Sequence, residues 1–285
     1  MERKEIIVKD KVSNQFAEAP ILNRMEETKS NGYYRDSAKY KEVVWGGINH
    51  KMYKNPMSID DAIFQKGFFL FSQVKSNVVK YLKEHNDVVP DVEVYPVNYT
   101  NWKFFIKNGK IQDDIPIVGV DLTAAYWYIA RNMGFINENT FQKGLEHITV
   151  EFKGEVKQGD LLKPVRLSAL SVLGKKKTYY KIIDGVKTKE VEYIGGNELQ
   201  EKVYRIIRLT CYYHMHMVQE LLGMNEFMCW KTDCIFFHDL PENRKKVYDY
   251  FDSVNLNYKT LEKPTDSEGD GNDKELQKAV KEMSM

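Results

Sequence analysis

Apolar and polar residues alternate along this chain with different periods, and the sharpest segment is Ile117-Val118-Gly119-Val120-Asp121. Mostly β-branched residues bounded by Pro116 and an acid predict a strand covered on both faces, with Asp121 at its end. Thr123 to Arg131 is rich in Ala and aromatic residues and has no breaker, which predicts a helix that follows at once and projects Tyr126 near the same strand end. A second pattern, Phe227 to Phe237, is two apolar runs split by a short polar break, a tight β-hairpin with Asp233 at its turn.

The remaining segments read in order. Residues 1 to about 40 are polar and poorly periodic, an arm or extended lead-in that packs only in patches, and Gly46-Gly47 is a turn or a point of close backbone approach. Ser58 and Asp61 form a capping box that opens a long helix from Ile59 to about His85, with Gly67 as its weak point. Val92 to Tyr99 and Trp102 to Ile106 alternate as strands, and Asn108-Gly109 signals a hairpin. Asn137 to Gly144 is helical, His147 to Lys153 extended, and Leu161 to Gly174 helical. Asp184-Gly185 then turns a second hairpin between Tyr179–Ile183 and Lys189–Tyr193.

Asn197 with Gln200 caps the best-defined helix, whose apolar stripe is Leu199, Val203, Ile206, Ile207, Thr210, His214, Met217, Val218 and Leu221, ended by Gly223. His214 and His216, two apart on that helix, point in different directions and make a poor metal pair. Pro241 starts a helix to about Phe251, Leu256 to Leu261 returns as a strand, residues 264–272 read as a flexible acidic linker, and Lys274 to Met283 as a short helix. This order of strand, helix, hairpin, helix and strand predicts an α+β fold, an antiparallel sheet with helices on one face.

Composition narrows the setting. The 285 residues allow one large domain with appendages. The 42 basic and 41 acidic residues nearly cancel, so net charge gives no sign of a nucleic-acid partner and local clusters must be judged one by one. Three cysteines, Cys211, Cys229 and Cys234, lack metal-site or disulfide spacing, and no run reaches the roughly 18 apolar residues of a membrane span. The expectation is a soluble protein of a reducing cytoplasm.

Chemistry concentrates on the two acids. A carboxylate at a strand end and another at a hairpin turn are what two-metal phosphoryl transfer requires when the strands are neighbours. The competing reading of Asp121 is a helix N-cap.

With these pieces in place the chain resembles the palm of family B DNA polymerases, most nearly the protein-primed phage and plasmid type, over about Ile115 to Leu261. The family's first motif is Asp, two variable residues, then Ser-Leu-Tyr-Pro, and Asp121-Leu122-Thr123-Ala124-Ala125-Tyr126-Trp127 keeps the acid and the Tyr. The hairpin motif Asp-Thr-Asp-Ser is matched by Lys231-Thr232-Asp233-Cys234, which keeps the second acid. Between them lies a helix of pattern Lys, three variable residues, Asn-Ser, one variable, Tyr-Gly. There the stretch from Arg166 to Gly174 keeps the base, the Ser and the Gly but has Leu170 and Leu173 for Asn and Tyr. A P-loop reading of Gly174-Lys175 fails, because Ala169 and Lys176 stand where Gly and Ser or Thr belong.

The resemblance implies that Asp121 and Asp233 bind two Mg²⁺ (or Mn²⁺) ions, with the Leu122 carbonyl on the second. It also implies that Tyr126 lies under the sugar and that Arg166 and Gly174 sit at the triphosphate. Lys259 answers the family's primer-contacting Lys, and Lys175, Lys176 and Lys177 are the densest basic cluster for a DNA backbone, or else a solvated turn. The implied domains are an N-terminal extension (1–114), a palm (115–262) with a short helical fingers-like insertion at about 134–174, and an acidic tail (263–285). The implied activity is template-directed transfer of deoxynucleotides to a primer hydroxyl, by a protein in the host cytoplasm if phage or plasmid encoded. Its implied partners are a DNA primer-template, deoxynucleoside triphosphates and other replication proteins, without a membrane. The departures at Lys231, Leu170 and Leu173 motivate an alternative, a catalytically silent palm that binds nucleic acid or assembles a replication complex.

Overall fold

The computed structural model describes residues 9–12, 18–54, 58–96, 98–100, 106–107, 110–111, 115–194 and 197–261. The elements run β1 (Lys9–Val12), α1 (Glu18–Glu27), β2 (Gly32–Asp36), β3 (Tyr40–Trp45), β4 (Ile48–Tyr53), α2 (Ile59–Lys66), α3 (Phe69–Glu84), β5 (Asn98–Thr100), β6 (Ile106–Lys107), β7 (Lys110–Ile111) and β8 (Ile117–Leu122). They continue with α4 (Ala125–Asn132), α5 (Glu138–Leu145), β9 (Ile148–Phe152), β10 (Glu155–Gly159), α6 (Lys163–Ser171), a 3₁₀ turn (Val172–Gly174), β11 (Lys177–Ile183) and β12 (Val186–Ile194). α7 (Glu198–Leu222), β13 (Phe227–Lys231), β14 (Cys234–His238), α8 (Pro241–Ser253) and β15 (Tyr258–Leu261) complete the chain. The α+β expectation is met.

The chain divides into two compact units, and not at the expected boundary near residue 114. One contains the described residues up to Ser72 together with Leu145–Glu201; the other contains Gln73–Gly144 and the described residues from Lys202 on. The stretch from 134 to 174 is therefore shared between the units, and it is only partly helical, since β9 and β10 form a two-stranded ribbon within it. The linker and short helix beyond Leu261, Trp102, and the turn residues Asn108 and Gly109 lie outside the described residues, although β6 and β7 on either side of that turn do pair antiparallel.

In the first unit, β1-β4-β3-β2-β11-β12 form a six-stranded sheet, with β1 parallel to β4 and the other pairs antiparallel. The predicted arm is thus corrected at β1, which joins the sheet, and from Glu18 on, where α1 lays Ile21 and Met25 on Tyr34, Val43, Met52 and Ile182. Two apolar residues one turn apart on a ten-residue helix are too narrow a stripe to register as a period. Alternation puts Arg35, Glu42 and Lys51, one row by strand pairing, on the face away from α1. The long helix breaks at Gly67 as expected. A Cβ there would stand 2.8 Å from Leu162 and 2.9 Å from Val165. The Ser58–Asp61 capping box is present, and Gly46 and Gly47 form a plain turn with nothing near either Cβ position.

In the second unit, β15-β8-β14-β13-β5 form an antiparallel sheet. Of the predicted strand Val92–Tyr99 only β5 forms, at its end, and Val92 to Pro96 run without ladder partners. The row Tyr99, Trp230, Ile235, Val120, Thr260 crosses all five strands and faces the helices. Trp230 donates its indole N–H to Gln219 of α7 at 3.0 Å, and Thr260 bonds Tyr248 of α8 at 2.8 Å. Val120, Trp230 and Ile235 are fully buried there, which is the apolar contribution that seats both helices. The stripe of α7 is as expected at Val203, Ile206, Ile207 and Val218, but past Ile207 it is Cys211, Tyr212, Met215, Gln219 and Leu222 that also go inward, rather than Thr210, His214, Met217 and Leu221. Tyr212 and Gln219 can be buried because Arg208 and Trp230 satisfy their polar ends.

His214 lies half-buried with its Nδ1 2.8 Å from the Tyr250 hydroxyl, and burial pushes its pKa down to about 4. The unfolded chain takes up this proton near pH 6.5 and the folded one only near 4. Stability present above pH 6.5 is therefore lost as the pH falls toward 4, by up to about 3 kcal/mol. Urea unfolding at pH 7 and pH 4.5 measures this loss, and His214→Gln is expected to shrink it. Among the described residues no helix is long and apolar enough to cross a membrane.

Candidate two-carboxylate site

The row next to Trp230 and Val120 lies on the other face of the same sheet. Asn98, Lys231, Cys234, Asp121 and Lys259 stand opposite one another across β5, β13, β14, β8 and β15. Asp121 opposes Cys234, and the amide of Leu122 donates to the carbonyl of Asp233 at 2.9 Å, so the two acids lie at the same end of the β8–β14 pair, one residue apart in register. Asp121 does not cap the helix that follows. The cap position is Ala124, held left-handed at φ 52°, with no side-chain cap bond.

Asp233 closes the two-residue turn between Lys231 and Cys234, where Thr232 is held at φ 58°. A β-branched residue with that φ is uncommon and costs on the order of 1 kcal/mol or more. Behind the turn, the Cys211 thiol of α7 lies 3.5 Å from the Thr232 carbonyl. Burial, then the carboxylates of Asp233 and Asp121, raise its pKa well above the ordinary value, which puts both acids within electrostatic reach of one buried atom. Tyr126 joins the same cluster: burial raises its pKa first, followed by Cys211, Tyr212 and Asp233.

Lys259 is where the sequence and the structure differ most in meaning. Its ammonium sits 3.2 Å from Asp121 Oδ2 as the direct cross-strand neighbour, with 60% of the side chain exposed. An ion pair so exposed contributes at most about 1 kcal/mol. The contact places a cation beside the Asp121 carboxylate, on a side chain that solvent reaches. Among the described residues no group of three or more His, Cys, Asp or Glu is placed to hold a metal. Two carboxylates, completed by substrate oxygens and water, are nonetheless the donor set Mg²⁺ commonly takes. The residues therefore fit the ion the resemblance implies, at Asp121 and Asp233, with Lys259 as a stand-in cation.

Several expected contributors are elsewhere. Arg166 belongs to the other unit, is buried, and places its two terminal nitrogens on Asp160 Oδ1 and Oδ2, at 2.5 and 2.8 Å, so its guanidinium is committed to a bidentate internal pair rather than presented to a triphosphate. Leu170 and Leu173 are core residues, each 2% exposed, which is why Asn and Tyr are absent from that helix. Gly174 ends the 3₁₀ turn after it. The lysine triplet is divided in role: Lys175 is exposed, Lys176 pairs with Glu201 at 3.2 Å, and Lys177, already in β11, pairs with the fully buried Glu42 at 3.3 Å.

The cation that the sequence reading missed is Arg208. Exposed on α7, it donates to the Tyr212 hydroxyl at 3.1 Å and sits 5.9 Å from the Tyr204 ring centroid. That hydrogen bond raises its pKa, and Tyr212 also neighbours Tyr126, so Arg208 is linked through Tyr212 to the cluster beside Asp233. The signal was the spacing Tyr204, Arg208, Tyr212, an aromatic-cation-aromatic stripe on one helix face. Neither the protein-family models nor the curated proteins contain a match to this chain.

Proposed function

We propose that this chain is a reduced polymerase-type palm that transfers deoxynucleotides to a primer hydroxyl on a template. The observation that carries the reading is that Asp121 and Asp233 lie at the same end of β8 and β14, with Leu122 bonded to the Asp233 carbonyl and both acids near the Cys211 thiol. Asp121 and Asp233 would hold Mg²⁺, which when bound supplies a Lewis acid for the attacking hydroxyl and for the pyrophosphate leaving group. The chain's own residues position the rest. Tyr126, half-buried beside Asp233, offers a ring against the sugar, and Arg208 offers a fixed guanidinium for phosphate in place of Arg166. Lys259, exposed beside Asp121, would be the cation that reaches a primer phosphate.

The flanking cations Lys231 and Lys259 in the Asp121 row support the second reading, a silent palm that binds nucleic acid without transferring nucleotides. Primer extension by the wild-type chain decides between them. Mg²⁺-dependent incorporation that follows the template is expected. No incorporation with intact primer-template binding assigns the silent role, and neither activity nor binding overturns both.

A further inference from the structure

The first unit carries a second charged surface, on the face of the six-stranded sheet away from α1. At its centre Glu42 is completely covered and accepts from Asn49 Nδ2 at 2.9 Å, Arg35 Nη1 at 3.2 Å, Lys177 Nζ at 3.3 Å and the Tyr179 hydroxyl at 3.3 Å. Burial alone would raise its pKa. The charge of Lys177, the Asn49 hydrogen bond and the charges of Lys51 and Arg35 outweigh that and keep it lowered, so Glu42 stays an anion that gathers three cations around itself. The carboxylate has no solvent-facing surface, whereas the side chains of Arg35 and Lys177 remain 29% and 37% exposed.

Solvent therefore meets the cations and not the anion that organises them. Beside them the Lys51 ammonium lies 5.9 Å from both the Tyr40 and the Phe68 ring centroids, and Phe68, 46% exposed, stacks on Phe71 at 5.2 Å. Phe68 therefore offers an exposed ring face next to the cation cluster, backed by the half-buried Phe71.

We infer that this face, with Arg35, Tyr40, Lys51, Phe68, Phe71 and Lys177, binds a single-stranded nucleic acid. Phosphates would lie along the cations and a base would stack on the Phe68 ring. An acidic protein segment would satisfy the charges, but it offers no flat face for the rings. Exposed cations beside the Phe68 ring suit an unpaired strand, whose bases are free to stack. The inference extends the nucleic-acid reading of the chain to a surface that contains neither Asp121 nor Asp233, and the two can fail separately.

Fluorescence anisotropy of the full chain with a labelled oligothymidylate tests it. Competitors are an abasic phosphate strand of equal length and polyglutamate. Lys51→Gln and Phe68→Ala are each expected to weaken binding about tenfold, with Lys51→Arg restoring it. Lys51→Gln should also lower the salt slope by about one. The abasic strand should compete about tenfold less well than oligothymidylate. Wild-type affinity in both variants, with circular dichroism unchanged, would overturn the inference. So would equal competition by the abasic strand, which would leave a plain polyanion site, or by polyglutamate, which would assign the face to an acidic protein. Asp233→Asn should bind the oligonucleotide as wild type does; lost nucleotide transfer with binding intact would leave this surface standing.

Discussion

Asp233→Asn is expected to lower Mg²⁺-dependent nucleotide incorporation by at least about a thousandfold while leaving the fold intact, because phosphoryl transfer of this kind rests on charge placed where metal and leaving group need it. Asparagine keeps the size and most hydrogen-bonding capacity of the side chain and removes only the charge. Asp233 sits half-buried at a turn whose shape is set by its neighbours, with Thr232 at φ 58° and the Asp233 carbonyl bonded to the Leu122 amide at 2.9 Å, and neither needs the carboxylate. Asp121→Asn should lose a similar factor. It also removes the charge partner of Lys259, an exposed ion pair whose loss costs at most about 1 kcal/mol. Lys231→Gln should go the other way or change little, since it withdraws a cation from the row of Asp121. Single-turnover incorporation with circular dichroism as the fold control measures all three. Activity within tenfold of wild type in Asp233→Asn would place the chemistry elsewhere.

The legible part of this site was its local chemistry. An apolar β-branched run that stops on an acid, and two short apolar runs around Lys231-Thr232-Asp233, each specify a strand end and a turn within a few residues, and both elements formed where expected. What sequence could not supply was register. By its place in the sequence Lys259 answers only a primer-contacting lysine; the pairing of Tyr258 with Leu122 and of Lys259 with Asp121 makes it the cation on the candidate metal ligand. Arg208 was missed for a related reason. Its importance comes from Tyr212 and Tyr126, which lie on different elements and meet only in the folded chain.

Motif spacing misled where a structural need competed for the same residue. Arg166 stands at the position of a phosphate-binding base, but Asp160, six residues earlier, gives it a partner inside its own unit, and Leu170 and Leu173 at the family's polar positions are taken by the core. Lys177 read as the last residue of a basic turn, whereas β11 begins with it and delivers it to Glu42 on a strand distant in sequence. The polar face that hid the first sheet from a periodicity argument is the face that carries the Glu42 cluster. A strand with one apolar face and one charged, covered face alternates between two kinds of buried residue, and hydropathy records only one of them.

Gly144→Ala is expected to destabilise the chain by about 2–4 kcal/mol, the opposite of the roughly 1 kcal/mol gain that this change brings in a free-standing helix interior. Gly144 is buried near the end of α5, where an added Cβ would stand 2.4, 2.6 and 2.8 Å from Cζ2, Cε2 and Nε1 of Trp127. The indole has little freedom to retreat. It is 2% exposed, and its Nε1 donates to the Phe141 carbonyl at 3.0 Å, so a shift that relieves the clash also breaks a buried hydrogen bond. Gly223→Ala is the matched control, with φ +76° but no atom within 4 Å of the added Cβ, and it should cost only about 1 kcal/mol of backbone strain. Trp127 follows Tyr126 on α4, so displacement of its ring is transmitted to the residue beside Asp233. Nucleotide incorporation by Gly144→Ala should therefore fall more than its fraction unfolded accounts for, whereas Gly223→Ala should lose activity only in proportion to unfolding. Equal denaturant midpoints for the two variants would show that the Trp127 pocket yields to the extra methyl group.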